Sequence, residues 1–328
     1  MNVSTLNTAV IYETLDTVQI RRSLEEMLKH DAEADYAFQQ TNYLPSVRDK
    51  AKGLYAATID TRQAVDKVSL ILRNDTATAL KKLNELRAAA PEMEAEDERE
   101  DNLYFRHTTL TSFRKNLQAA RDTLREPFSV LTGVKFDPSS TTTYKTQLDA
   151  ALVELNTSLA TSEEKMKALE NSRTILSEAM AVFEKKNLAD VAKETLLTAE
   201  NISALGVAAP EVELIKFAID HMKKTMENIS ESLNYYSMYE QRERLITDIK
   251  KLTTQIKSKN AEVENTTAKS QLIASVHRVY EQFFMARAEY VKFERSINAF
   301  NRHVGTGDPT AYEDRFVSAA PYLIDYLK

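Results

Sequence analysis

Cysteine is absent from this chain, and only 5 glycines and 7 prolines occur among its 328 residues. Without cysteine there are no disulfides, no thiol nucleophiles and no cysteine-ligated metals. Glycine and proline ordinarily make up roughly 7% and 5% of a globular sequence. Their shortage argues against a β-sandwich or a doubly wound α/β fold, whose many turns depend on them. Long helices have no such need. A basic excess is lacking as well: 43 lysines and arginines face 49 acids, a net charge of −6, which counts against a nucleic-acid binder. There is no apolar run of about 18 residues, so no conventional transmembrane helix is expected. The segment Met1 to Val10 has neither a basic n-region nor an apolar h-region, so no secretory signal peptide is read there. What remains, 43% hydrophobic and 28% charged, is the composition of a folded, soluble protein.

Catalytic patterns are also missing. The histidines His30, His107, His221, His277 and His303 are scattered, with no His-x-x-x-His or Glu-x-x-His pair to begin a metal site. No glycine-rich phosphate loop, dinucleotide fingerprint or nucleophile elbow is present. No catalytic residue, cofactor or metal is assigned, and the chain reads as a non-enzyme. Residues 92–101 hold seven acids and one arginine. Their spacing lacks the glycine and polar alternation of an EF-hand loop. Such runs serve as solvated connectors or as the first turns of a helix, where the dipole favours acids.

What is abundant is helical periodicity. Helices are expected at about 5–42, 46–89 and 102–126, each followed by a proline (Pro45, Pro91, Pro127). Leu6, Val10, Leu24, Met27, Leu28 and Phe38 mark the apolar face of the first. Leu103, Leu110, Phe113, Leu117 and Leu124 mark that of the third. Residues 132–140 read as an irregular loop, with Ser139 or Ser140 capping the next helix. From Ser139 to Val304 the only glycine and proline are Gly206 and Pro210. This predicts two long arms, 139–205 and 211–304, forming one helical hairpin that turns at 206–210. The left arm carries Leu148, Leu152, Leu155, Leu159, Ser162, Met166, Leu169, Arg173, Leu176, Met180 and Phe183 in alternating steps of four and three, a coiled-coil seam. Leu245, Ile249, Leu252, Ile256 and Val263 continue it on the right arm, with Ile229, Leu233 and Tyr236 before them. At a rise of ~1.5 Å per residue each arm spans on the order of 100 Å. Large apolar residues from Val276 to Phe300 cover more than one helix face, so several helices must pack around them. Asp308-Pro309 suits the start of a last short helix reaching about Leu327. The expected fold is all-α: a single elongated domain comprising a multi-helix bundle (about 1–138 with 264–328) and a long antiparallel coiled-coil hairpin (about 139–263). Its apolar tip or head lies at about 188–222.

The tip carries the functional expectation. No basic residue lies between Lys193 and Lys216, while Leu196, Leu197, Ile202, Leu205, Val207, Val212, Ile215, Phe217 and Ile219 concentrate there. With lysines on both sides, these nine residues suit contact with a membrane interface or a partner, and Gly206 and Pro210 suit a hinge. The alternative is a small local core, in which the tip folds into a few short helices. Glu194, Glu200, Glu211, Glu213 and Asp220 count against spontaneous insertion into a bilayer.

A bundle built from both chain ends, a breaker-poor central hairpin and an amphipathic tip near mid-chain resemble the α-helical pore-forming toxins related to cytolysin A. The B component of binary xenorhabdolysin-type toxins is the most similar. The resemblance implies a secreted subunit, monomeric in solution, that pairs with an A subunit and joins a hetero-oligomeric ring at a target-cell membrane. It implies no catalytic residue and no nucleic acid. Relatives that insert alone usually have a longer uncharged tongue than Asn201–Pro210, so a more hydrophobic partner is implied here. A scaffold coiled-coil protein, permanently paired through the Leu148–Phe183 seam, is the alternative. A membrane-curving crescent dimer would need a basic concave face, which the net acidity disfavours.

Overall fold

A computed structural model describes residue 10 and residues 12–225, 233–305 and 309–328. The fold is all-α, with helices α1 (Thr17–Thr41), α2 (Pro45–Ala89), α3 (Glu96–Gly133), α4 (Ser139–Lys185), α5 (Ala189–Ala192), α6 (Ala199–Ala204), α7 (Ala209–Thr225), α8 (Tyr235–Val304) and α9 (Pro309–Tyr326). They form two compact units, Met1–Lys145 with Ala268–Lys328, and Thr146–Thr267.

In the first unit, α1, α2, α3, α9 and the C-terminal part of α8 share one core. Phe113 of α3 sits at its centre, 4.7 Å from the Phe316 ring and 6.2 Å from Phe300. The aromatic-rich stretch of α8 buries Val276, Val279, Phe283, Tyr290, Phe293, Ile297 and Phe300, as a segment apolar on more than one face must. Arg48 is also fully buried, because Asp31 and Asp35 supply its guanidinium with hydrogen bonds and opposite charge. Glu313 is likewise buried and is held by Arg106 and Arg87.

Several element boundaries depart from the sequence reading. The first helix starts at Thr17 rather than near residue 5, and Leu6 lies outside the described residues. Residues 12–16 are a non-helical strap. The Glu13 N–H donates to Ser296 Oγ at 3.0 Å, the Asp16 N–H donates to Glu289 Oε2 at 2.9 Å, and Tyr12 stacks on Tyr326 at 5.1 Å. Asp16 then caps α1 by accepting from the Gln19 N–H. The third helix does not stop before Pro127 but carries it internally to Gly133. Continuation buries Phe128 and Leu131. At ~1.5–3 kcal/mol each, that offsets the ~3 kcal/mol a mid-helix proline costs. Asp137, not a serine, caps α4, accepting from the Ser139 N–H at 2.9 Å and the Ser139 hydroxyl at 2.6 Å. Leu28 and Leu103, expected on core faces, are exposed. The acids Glu96, Asp97 and Glu98 occupy the first turn of α3, where the dipole favours them.

In the second unit, α4 and α8 touch in antiparallel register. Lys259 Nζ donates to Ser158 Oγ at 2.6 Å and to Ser162 Oγ at 2.8 Å. Further along, Thr253 Oγ1 approaches Met166 Sδ at 3.8 Å. Numbers that rise along α4 fall along α8. The seam slips on both arms. Arg173 is exposed, and its neighbour Ser172 is buried in its place, with its hydroxyl 2.9 Å from His221 Nε2. Tyr236 is likewise exposed and Tyr235 turns inward, donating to Glu184 at 2.9 Å. Ile229 lies outside the described residues.

Candidate functional site

The left arm ends twenty residues earlier than its lack of glycine and proline predicts. Asn187 adopts a left-handed conformation, φ 55°. The Leu188 N–H donates to the Phe183 carbonyl at 2.9 Å and the Asn187 N–H to that of Glu184 at 3.1 Å. This is a Schellman termination, with Asn at the left-handed position. Phe183 and Leu188 pack into the same cluster, which supplies the apolar contact that accompanies such an ending. The signal was present in the sequence as Lys185-Lys186-Asn187-Leu188: cations in the last turn, then asparagine, then an apolar residue.

Beyond Asn187 the chain folds into a head of three helices. Thr198 caps α6, its hydroxyl accepting from the Asn201 N–H at 3.3 Å. The Leu197 N–H donates to the Leu233 carbonyl at 2.9 Å, tying the approach to α6 to the residues that lead into α8. Gly206, at φ 75°, turns the chain between α6 and α7, a conformation that costs a residue with a Cβ roughly 1–2 kcal/mol. Glu211 closes the start of α7 by accepting from the Ala208 N–H at 3.1 Å, half of a capping box. Lys186 pairs with the same carboxylate at 2.7 Å. These contacts, the lysine first, hold the Glu211 carboxyl below its ordinary range. Lys193 and Lys216, two of the flanking lysines, pair with Asp190 and Glu213.

Of the nine apolar residues singled out at the tip, six are buried inside this head: Leu197, Ile202, Val207, Val212, Ile215 and Ile219. They pack with Leu176, Met180 and Phe183 of α4, and with Leu233, Met238 and Leu245 from the α8 side. Leu205 is half-buried against the same cluster. Only Leu196, 48% exposed, and Phe217, 57% exposed, face outward. The tip in this structure is therefore a local core, the alternative weighed above. Helix α7 explains why. Val212, Ile215, Ile219 and Met222 follow helical spacing and share one buried face, and sequestering each is worth ~1.5–3 kcal/mol. Pro210 lies in the first turn of α7, where its missing N–H costs nothing. Val191 is a further exposed apolar residue of the head.

Among the described residues no group of three or more His, Asp or Glu is placed to hold a metal ion. No helix among them is long and apolar enough to cross a membrane.

No family model matches the chain. No curated protein matches it either. Solved structures do. PaxB from Photorhabdus luminescens superposes with a TM-score of 0.72 at 17% identity, covering 96% of this chain and 97% of that one. XaxB from Xenorhabdus nematophila gives 0.66 at 16% identity over 96% and 98%. A chain of the XaxAB pore complex from the same organism gives 0.61 at 16% identity over 96% and 97%. At such identities the likeness is one of fold. That fold is the one the resemblance to xenorhabdolysin-type B components predicts.

Proposed function

We propose that this protein is one subunit of a multi-component α-helical pore-forming toxin, working with a second subunit at a target-cell membrane. The observation that carries the reading is the fold shared with PaxB and XaxB along 96% of the chain, a fold also found in the XaxAB pore complex. The head supports it in physical terms. Six apolar side chains are stored in a small core whose connections rest on single left-handed residues, Asn187 and Gly206. Exposing those side chains to water would cost on the order of 10 kcal/mol. Exposing them to lipid or to an apolar partner would not. Opening is thus coupled to the surface that receives them, and Leu196 and Phe217 are the first residues available to touch it. The acids Glu194, Glu200, Glu211 and Glu213 oppose unaided insertion, so a second subunit completes the apolar surface. In this reading the protein is monomeric before assembly and joins a hetero-oligomeric ring.

The test is leakage from dye-loaded phospholipid vesicles, with the protein alone and with the product of the neighbouring gene. Leakage that requires both, and that falls in Leu196→Asp/Phe217→Asp, is expected. Intact vesicles under every lipid and partner condition, together with a stable oligomer in solution by sedimentation, would replace this reading with that of a scaffold coiled coil.

A further inference from the structure

Among the described residues, several arginines of the first unit meet a carboxylate. Arg48 meets Asp31 and Asp35, Arg106 meets Glu313, and Arg87 meets Glu313 and Asp314. Four others do not. Arg114 and Arg121 of α3, Arg302 of α8 and Arg315 of α9 line one groove of about 690 Å³, and no acidic side chain lines it among the described residues. Neutral groups hold three of these guanidiniums. Arg114 sits over the Tyr312 ring, 5.0 Å from its centroid. Arg121 donates to the amide oxygens of Asn298 at 3.1 Å and Gln118 at 3.0 Å. Arg315 donates through Nε to the Ala311 carbonyl at 3.1 Å, which leaves both terminal nitrogens free of that bond. Tyr312, 3% exposed, lines the same groove, and its hydroxyl has no hydrogen-bond partner among the described residues.

Arg114 and Arg302 are exposed and Arg121 and Arg315 half-buried, so the four charges are open to an incoming anion. The chain carries more acids than bases, yet these four arginines line one groove with no carboxylate among the described residues. The dipole at the end of α8 accounts for Arg302 alone; it does nothing for the two arginines of α3. Neutral anchors fix guanidinium orientation without consuming charge. Planar, always-charged forks are suited to bidentate binding of phosphate oxygens. The volume exceeds what a single small anion fills and falls in the range of small-molecule sites.

We propose that this groove is a binding site for a phosphate-bearing polyanion, held by Arg114, Arg121, Arg302 and Arg315. The inference stands apart from the toxin reading, since it concerns the first unit and none of the head residues. The phosphate can come from a soluble polyphosphorylated molecule or from a phosphorylated lipid headgroup, and the experiment separates the two.

Isothermal titration of the full chain with inorganic tripolyphosphate is expected to show one saturable site that weakens in 0.5 M salt, where the Debye length is about 4 Å rather than the about 10 Å of 0.1 M salt. Removing one arginine, as Arg302→Ala or Arg315→Ala, is expected to weaken binding about tenfold, the equivalent of ~1.4 kcal/mol. Arg278→Ala, whose partner is Glu281 outside the groove, is expected to leave it unchanged. Co-sedimentation with phosphatidylcholine vesicles, with and without phosphatidylinositol bisphosphate, forms the second arm. Arginine-dependent tripolyphosphate binding without vesicle binding assigns a soluble ligand, and arginine-dependent binding to the phosphorylated vesicles assigns a headgroup. Binding to neither probe, or binding that Arg302→Ala and Arg315→Ala leave at wild-type strength while circular dichroism shows both folded, overturns the proposal.

Discussion

Two substitutions on α7 separate a stored core from an exposed docking face. Ile215 is fully buried in the head, whereas Phe217, two residues on, is 57% exposed. Ile215→Ala removes three buried carbons and leaves a cavity, at a cost of about 2–5 kcal/mol for such a change. Taking ~3 kcal/mol, the population of the opened head rises by about two orders of magnitude, since ~1.4 kcal/mol is tenfold. Phe217→Ala loses little buried area, and its cost stays below about 1 kcal/mol. Amide hydrogen exchange followed by peptide mass spectrometry reads this directly. Peptides from residues 199–225 are expected to exchange about a hundredfold faster in Ile215→Ala and less than about fivefold faster in Phe217→Ala. Peptides from α2 and α3 should be unaffected in both. The same opening should raise vesicle association of Ile215→Ala, whereas Phe217→Asp should lower it without accelerating exchange. Equal exchange in Ile215→Ala and wild type would refute the head core. Faster exchange with unchanged vesicle association would refute the link between opening and membrane contact.

Other expectations concern single physical terms. Gly206→Ala places a Cβ in open space but at φ 75°, so it should destabilise the head by about 1 kcal/mol through backbone strain alone, seen as faster exchange in the same peptides. Arg48→Leu strips the counter-charge from Asp31 and Asp35, whose side chains keep 19% and 36% exposure. The loss should therefore fall at or below the lower end of the 3–5 kcal/mol found for broken buried pairs, about 2–3 kcal/mol by denaturant titration. Acidification should weaken the first unit. Burial pushes the His277 imidazole down, with Lys145 adding to this and Glu281 opposing it, and burial followed by Arg315 pushes His303 down. The unfolded state then binds more protons, so stability is full above the unfolded value near 6.5 and is lost as pH falls through the lowered folded values. Thermal melts from pH 7.5 downward should show this fall, and His277→Asn should shrink it.

The helical class of the chain follows from composition and periodicity, which depend on neighbours along one helix. Scarce glycine and proline, the leucine spacing of α4 and the aromatic face of α8 are local properties, and the structure retains each. The Schellman ending at Asn187 is also legible, because its three signals sit within four consecutive residues. Other features needed distant partners. The strap at residues 12–16 depends on Ser296 and Glu289. The slip from Arg173 to Ser172 depends on His221 arriving from α7. Pro127 stays inside a helix because Phe128 and Leu131 have a core to enter. The head turns on the same distinction. An apolar stripe such as Val212, Ile215 and Ile219 reads identically whether it faces a bilayer, a partner or its own chain, because the hydrophobic effect has no direction. Only the tertiary structure, by bringing α4, α6 and α7 together, decides that in this state the stripe is covered from within.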